Sequence, residues 1–308
     1  MKQEQIPLLV ICGPTASGKT AWATRLAEKF PLEIISADSR QVYRQMDIGT
    51  AKATAAEQRQ VVHHMIDLID PDQEFSVAEF VDRSRPLIEK IYRSGKLPCV
   101  VGGTGLYIRA LLGGLAELPS ADEILRSELH QREESEGVGT LHRQLEQIDP
   151  ASAAAIHPNN LIKIVRALEV YHLSGRLMSE LQAEHCFADK PYRTIKLAPQ
   201  VERDELYRRI SVRAEQMLEE GLVSETEGLI SRYGENLKAL QTLGYREVLG
   251  FLSGQFDSSR TVELIALHTR QYAKRQLTWF RKEPEIIWVD SLNESGTVLQ
   301  SIENILPC

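Results

Sequence analysis

Residues 13 to 20 read Gly13-Pro14-Thr15-Ala16-Ser17-Gly18-Lys19-Thr20, a G-x-x-x-x-G-K-[ST] octapeptide with the make-up of a phosphate cradle. Gly13 and Gly18 let the loop turn so that successive amide N–H groups face inward, and a helix after it adds the positive end of its dipole. Lys19 supplies a point charge for phosphate oxygens, and the Thr20 hydroxyl can join the shell of a Mg²⁺ ion. The chemistry this demands is the binding of a diphosphate or something longer. A kinase, an ATPase and a transferase with a diphosphate leaving group would all use the same loop.

Asp38 ends the apolar run LEIISAD, which puts a carboxylate at the carboxyl end of a strand. Such a group holds Mg²⁺ beside a nucleotide, acts as a general base on a second substrate, or simply caps the next helix. The segment 40–52 that follows mixes aromatic, cationic and amide side chains around Gly49, as a substrate-contacting loop does. Gly102-Gly103-Thr104-Gly105 forms a second turn-rich strand end. Arg208, Arg209 and Arg213 lie on an amphipathic helix over 204–220, with Leu206, Ile210, Met217 and Leu218 as its apolar side. Residues 268–282 carry Arg270, Lys274, Arg275, Arg281 and Lys282 and no acid. On a helix Arg270, Lys274 and Arg281 share one face, while Ala273, Leu277 and Phe280 form the apolar stripe.

These groups need a scaffold, and the first third of the chain provides its pattern. Apolar strands at 8–12, 33–37 and 98–101 alternate with helices at 19–30 and 77–94. The pattern predicts an α/β fold in which a P-loop-containing, mostly parallel sheet has helices on both faces. Ligands in such sheets gather outside the carboxyl ends of the strands, where the loop, Asp38 and the 102–105 turn all lie. From about 118 the pattern becomes helical only, until 194–198 reads again as a strand. A last strand at 285–290 still needs a sheet to join, so the helical stretch reads as an insertion. The predicted organisation is 1–117 as the first part of the core, 118–193 as an all-α insertion domain, and 194–308 as the rest of the core.

The 308 residues are 43% hydrophobic, enough for a full core, and no stretch is long and apolar enough to span a bilayer. The start MKQEQIP lacks a signal-peptide core, so a cytoplasmic location with no membrane partner is expected. Cys12, Cys99, Cys186 and Cys308 show no metal-binding or disulfide spacing and read as small core residues of a reducing compartment. His63 and His64 likewise lack partners at metal-ligand spacing. A net charge of −7 argues against nucleic-acid binding by bulk charge and leaves room for a local basic groove.

Taken together, these strings resemble the bacterial type of the tRNA dimethylallyltransferase (tRNA isopentenyltransferase) family. The resemblance runs through GPTASGKT, SADSRQVYRQMDIGTAK, HHMIDLIDPDQEFSVAEF, VGGTGLY, LPSAD, IHPNN, RALEVYHLSG, LGYREV and QYAKRQLTWFR. It implies transfer of a dimethylallyl group from dimethylallyl diphosphate to N6 of the adenosine on the 3′ side of the anticodon. The loop would then hold a leaving group, with Lys19, Mg²⁺ at Thr20 and, through an R-I-x-x-R pattern, Arg209 stabilising its charge. Asp38 matches the family's general base. Asp38, Ser39, Arg40, Gln41 and Thr104 would surround an adenine drawn out of its stack, a step costing about a few kcal/mol.

By the same resemblance, Arg126, Lys163 and Arg166 in the insertion and Gly244, Tyr245 and Arg246 lie in motifs that contact the anticodon stem-loop of tRNA, and Arg270 and Lys274 extend that basic surface. Recognition would rest on this surface and on loop shape. The protein is expected to act as a monomer without structural zinc. Gln45 stands where the family commonly has glycine, Ala53 where proline is frequent, and Asn160 where aspartate is usual. A P-loop small-molecule kinase, a nucleotide-gated RNA-binding module and a prenyltransferase for free adenine nucleotides are the competing readings.

Overall fold

The structure, a computed structural model, describes residues 5–185, 189–283, 285–290 and 296–306. Six parallel strands form one sheet: β1 (Ile6–Cys12), β2 (Leu32–Ser36), β3 (His63–His64), β4 (Leu97–Gly102), β5 (Tyr192–Pro199) and β6 (Ile286–Val289), in the order β3-β2-β4-β1-β5-β6. The central strands are apolar throughout because both faces are covered. On one face Leu9, Ile11, Ile34, Cys99 and Val101 pack with Trp22 and Leu26 of the Lys19–Ala27 helix and with Val298 and Ile302 of the Gly296–Glu303 helix. Side-chain alternation turns Leu8, Val10, Ile35 and Val100 to the other face, where the Val77–Arg93 helix lies over β1, β2 and β4.

Local chemistry sets the helix starts. Ser76 accepts the Glu79 N–H at 3.1 Å while Glu79 accepts the Ser76 N–H at 2.8 Å, a reciprocal cap that opens the Val77–Arg93 helix. Asp257 accepts the Arg260 N–H at 2.7 Å at the head of Ser258–Phe280. The last strand does join the sheet, beside β5. Several elements have no counterpart in the sequence reading, the short Ala55–Gln60 helix among them. His63–His64 is too short to show a period, and Gly296–Glu303 becomes recognisable as a helix only once its partners on the sheet are known.

Cys12 and Cys99 are buried in β1 and β4, as expected of core residues. Burial pushes both thiols up, Cys12 to about 12, and Cys12 Sγ lies 3.6 Å from the Leu197 carbonyl as a weak donor. Cys186 and Cys308 lie outside the described residues. No helix among the described residues is long and apolar enough to cross a membrane.

The chain divides into two compact units, Met1–Leu112 with Lys190–Cys308, and Gly113–Asp189. The second unit is all helical, with a core of Leu129, Leu141, Leu145, Ile164, Leu168 and Met178. Its polar centre is Glu169, fully buried, whose carboxylate accepts from the Asp122 N–H at 2.8 Å, from Arg126 at 2.8 and 3.2 Å and from Arg166 at 2.5 Å. Arg166 also donates to the Pro119 carbonyl at 2.8 Å. The two arginines expected to face RNA are thus tied into the fold of this unit, whereas Lys163 is exposed. Burial alone would raise the Glu169 carboxyl, but the Asp122 N–H, Arg166 and Arg126 together hold it below the usual glutamate value.

Glu169→Ala should cost about 3 kcal/mol in denaturant unfolding, because it leaves two guanidiniums without their shared carboxylate and both can still turn toward water. A lowered carboxyl value contributes stability that is present above the unfolded-state value and is lost as pH falls through the native one. The wild-type melting temperature should therefore fall below pH 4.5, the ordinary glutamate value, and Glu169→Gln should flatten that part of the profile.

Candidate functional site

Strand register brings the proposed groups together. β4 lies between β2 and β1, with Ser36 level with Val101 and Cys12 level with Gly102, so three chain exits open side by side at the carboxyl ends of adjacent strands. Out of β1 the loop turns through three left-handed positions, Gly13 at φ 139°, Ala16 at 61° and Gly18 at 87°. Gly18 is the N-cap of the Lys19–Ala27 helix and brings no side chain to its first amides, which stay available to an anion. Ser17 Oγ and Lys19 Nζ both donate to the Pro14 carbonyl, at 2.8 and 2.6 Å, and hold the loop's curve. Burial lowers the Lys19 ammonium from 10.5 to about 8, assisted by Arg213 and opposed by the Asp38 carboxylate.

Out of β2 the chain is fixed by its neighbours before it reaches Asp38. The Ala37 N–H donates to the Val101 carbonyl at 2.8 Å, and the Ala37 carbonyl accepts the Thr104 N–H at 3.1 Å. Thr104 Oγ1 in turn accepts the Ser39 N–H at 3.1 Å, and Asp38 Oδ1 accepts the Arg40 N–H at 2.8 Å. Asp38 is half-buried, and its charge acts on Lys19, on Arg213 and on the Tyr272 phenol, which burial and Asp38 push up to about 12. One carboxylate and two cations therefore share a space bordered by the phosphate loop.

Each glycine of the 102–105 turn answers to a named neighbour. A Cβ on Gly102 would collide with the Ala37 carbonyl, one on Gly103 with the Gln276 amide, and one on Gly105 with the Trp279 ring. The turn is a close-packing surface for the Ser258–Phe280 helix as well as a strand exit. Ala273 and Phe280 are buried as the sequence stripe predicts, and Gln276 lies on the same side. Arg109 stacks on Trp279 at 4.3 Å and pairs with Glu283 through Nε at 2.8 Å, holding the end of this helix in place.

The loop after Asp38 is anchored from below. The Glu225 carboxylate accepts the N–H groups of Asp47, Ile48 and Gly49 at 3.1, 2.9 and 3.2 Å, and the Tyr245 hydroxyl at 2.6 Å. Lys52, buried, donates to the Tyr43 carbonyl at 2.7 Å, to Asp47 at 2.5 Å and to Asp67 at 2.6 Å. Gly49 has room for no side chain because the Tyr245 ring fills it. Gln45, at the position where a glycine is common, takes a left-handed φ of 63°, which explains the glycine.

Several expected contact residues have other partners. Tyr245 is fully buried, so its side chain supports the loop instead of presenting a surface. Gly244 donates its N–H to Glu247 at 2.7 Å, and Arg246 pairs with the same residue at 2.5 Å. Gln41 uses its amide to accept from Ser36 Oγ at 2.9 Å and to donate to the Thr50 and Ala51 carbonyls. Arg270 donates to Ser211 at 2.6 Å and lies over Tyr207 at 5.4 Å, while Lys274 is exposed. Arg209 pairs with Glu205 at 2.7 Å and has its Nη1 near Gly18, but Arg213, one turn on, is the arginine whose charge acts on Lys19. The R-I-x-x-R spacing contains both arginines. Gln276, Glu225 and Tyr272 carried no comparable signal.

The chain matches the family model described as IPP transferase over residues 41–283 and that described as isopentenyl transferase over residues 6–68. It is 49% identical over 301 residues to tRNA dimethylallyltransferase 1 of Syntrophotalea carbinolica, covering 97% of this chain and 96% of that one. It is 48% identical over 302 residues to the tRNA dimethylallyltransferase of Geobacter metallireducens, covering 98% of each. The crystal structure of the tRNA isopentenylpyrophosphate transferase of Bacillus halodurans superposes with a TM-score of 0.70 at 42% identity, covering 97% and 94%. A eukaryotic dimethylallyltransferase acting on tRNA superposes with a TM-score of 0.83 at 28% identity, covering 97% of this chain and 79% of that one.

The lowered Lys19 value has a consequence for anion binding. A bound anion favours the ammonium, so binding takes up a proton once the free lysine begins to lose its own near pH 8. Affinity for inorganic pyrophosphate should therefore fall as pH rises through about 8, by up to about tenfold per pH unit. Lys19→Arg keeps its charge over that range. Titration calorimetry on both proteins across pH 7 to 10 separates this effect from the ionisation of pyrophosphate, which is common to the two.

Proposed function

The chain belongs to the IPP transferase family, and on that premise we propose that it transfers a dimethylallyl group from dimethylallyl diphosphate to N6 of the adenosine 3′-adjacent to the anticodon of tRNA. The observation that carries this reading is the Asp38 carboxylate, held at a strand end beside the phosphate loop and close enough to act on both Lys19 and Arg213. The transferase names of its relatives favour it over the kinase and binding-module readings.

In this scheme the amides of residues 16–20, Lys19 and Arg213 hold the diphosphate, with Arg209 beside Gly18 as a further cation. The allylic C–O bond breaks and its electron pair leaves with the diphosphate, where these cations meet the developing charge. The adenine N6 forms the new bond to carbon and gives up a proton. Asp38 takes that proton, and its bond to the Arg40 N–H fixes one carboxylate oxygen while leaving the other to reach the amine. Ser39, Arg40, Gln41 and Thr104 border the space in which the adenine would sit, and Lys163, Lys274 and the outward faces of Arg126, Arg166, Arg246 and Arg270 supply cations for the RNA backbone.

Among the described residues no cluster of three or more His, Cys, Asp or Glu side chains could hold a metal. A Mg²⁺ ion carried by the substrate would need few protein ligands, as in other phosphate sites. The Thr20 hydroxyl would hold it, and when bound it supplies charge neutralisation for the leaving diphosphate.

Incubation with Mg²⁺, labelled dimethylallyl diphosphate and either a tRNA anticodon stem-loop or AMP tests the reading. Label should enter the stem-loop and not AMP. Asp38→Asn should lower kcat by about 10² to 10⁴ with little change in the KM for the donor, since a general base acts in the bond-making step. Label on neither acceptor, or full turnover by Asp38→Asn, would overturn the reaction or the role of the base respectively.

A further inference from the structure

One amide of the phosphate loop is already engaged by a side chain. The Thr15 N–H donates to Gln276 Oε1 at 2.8 Å, and Gln276 Nε2 donates to the Gly103 carbonyl at 2.9 Å. These two partners fix the amide orientation, because the N–H needs the oxygen and the carbonyl needs the nitrogen. Gln276 is buried, and Tyr272 lies one turn earlier on the same helix. Gly103 makes room for this arrangement, since a Cβ there would run into Nε2.

The effect on the cradle follows from counting donors. Pro14 has no N–H, and the Thr15 N–H is taken by Gln276, so the loop amides left to an anion begin at Ala16 and run through Ser17, Gly18, Lys19 and Thr20. The Gln276 carbonyl oxygen also carries partial negative charge at this end of the loop, where it repels a further phosphate. We propose, resting on the diphosphate-donor reading above, that Gln276 is a specificity-determining residue that sets the length of polyphosphate the loop accepts, admitting a diphosphate and disfavouring a triphosphate such as that of a nucleotide. The arrangement lets a loop of the ordinary nucleotide-binding sequence select a diphosphate ester against far more varied competition from nucleoside triphosphates.

Binding of inorganic pyrophosphate and of inorganic tripolyphosphate, each with Mg²⁺, measures this as a ratio of dissociation constants. Wild-type protein should favour pyrophosphate. Gln276→Met keeps the side-chain length but removes both polar atoms, so the Thr15 N–H becomes available and the ratio should shift toward tripolyphosphate by about tenfold, the worth of one hydrogen bond to a charged group. Gly103→Ala, which displaces the amide without altering Gln276, should shift the ratio in the same direction. General damage to the fold weakens both ligands and leaves the ratio unchanged. Pyrophosphate binding with an unchanged ratio in both variants overturns the proposal alone, whereas wild-type protein that fails to bind pyrophosphate overturns the diphosphate reading beneath it.

Discussion

The site depends on how closely the end of β4 approaches the end of β2. At Gly102 there is no space for a side chain against the Ala37 carbonyl, and the same carbonyl accepts the Thr104 N–H. That backbone contact sets where Asp38 emerges, because Ala37 is its immediate neighbour and Thr104 ties down Ser39 on the other side. The phosphate loop emerges from β1 on the far side of β4. A shift in register at β4 would therefore move the carboxylate and the cradle apart, and neither the loop nor Asp38 could compensate by itself.

The electrostatics are as local as the geometry. The chain carries a net charge of −7, yet the crevice concentrates Lys19 and Arg213 around a single half-buried carboxylate. Burial lowers the Lys19 ammonium most, from 10.5 to about 8, and the nearby Arg213 charge adds to the effect. An anion of two or more charges offsets the burial of both cations when it binds, which suits the site to the charge that a leaving diphosphate develops. Asp38 opposes the lowering of Lys19 without cancelling it.

What could be read from the sequence follows from the range of the interactions involved. The phosphate loop and the strands on either side of it are local features, and their spacing carries their meaning. The parallel sheet was legible because alternating elements restrict topology strongly. Arg213 was half legible: the R-I-x-x-R spacing names two arginines, and only the packed helix shows which of them acts on Lys19. Gln276 and Glu225 were not legible at all, since a polar residue on an apolar stripe and a glutamate on a helix have no local signature until their partners, at positions 15 and 103 and 47–49, are brought to them. The glycines at 102, 103 and 105 read as a tight turn; the structure gives each a separate neighbour.

Cations that hold internal partners remain suited to RNA. Arg126 and Arg166 share Glu169, and Arg270 bonds Ser211, yet each guanidinium is planar with five donors, of which a carboxylate or hydroxyl takes two or three at most. Their internal bonds remove rotamer freedom, so a phosphate contact made by the outward N–H groups would lose less entropy than one made by a free lysine. The buried carboxylate at Glu169 thus fixes the directions of two guanidiniums as well as the fold of its unit.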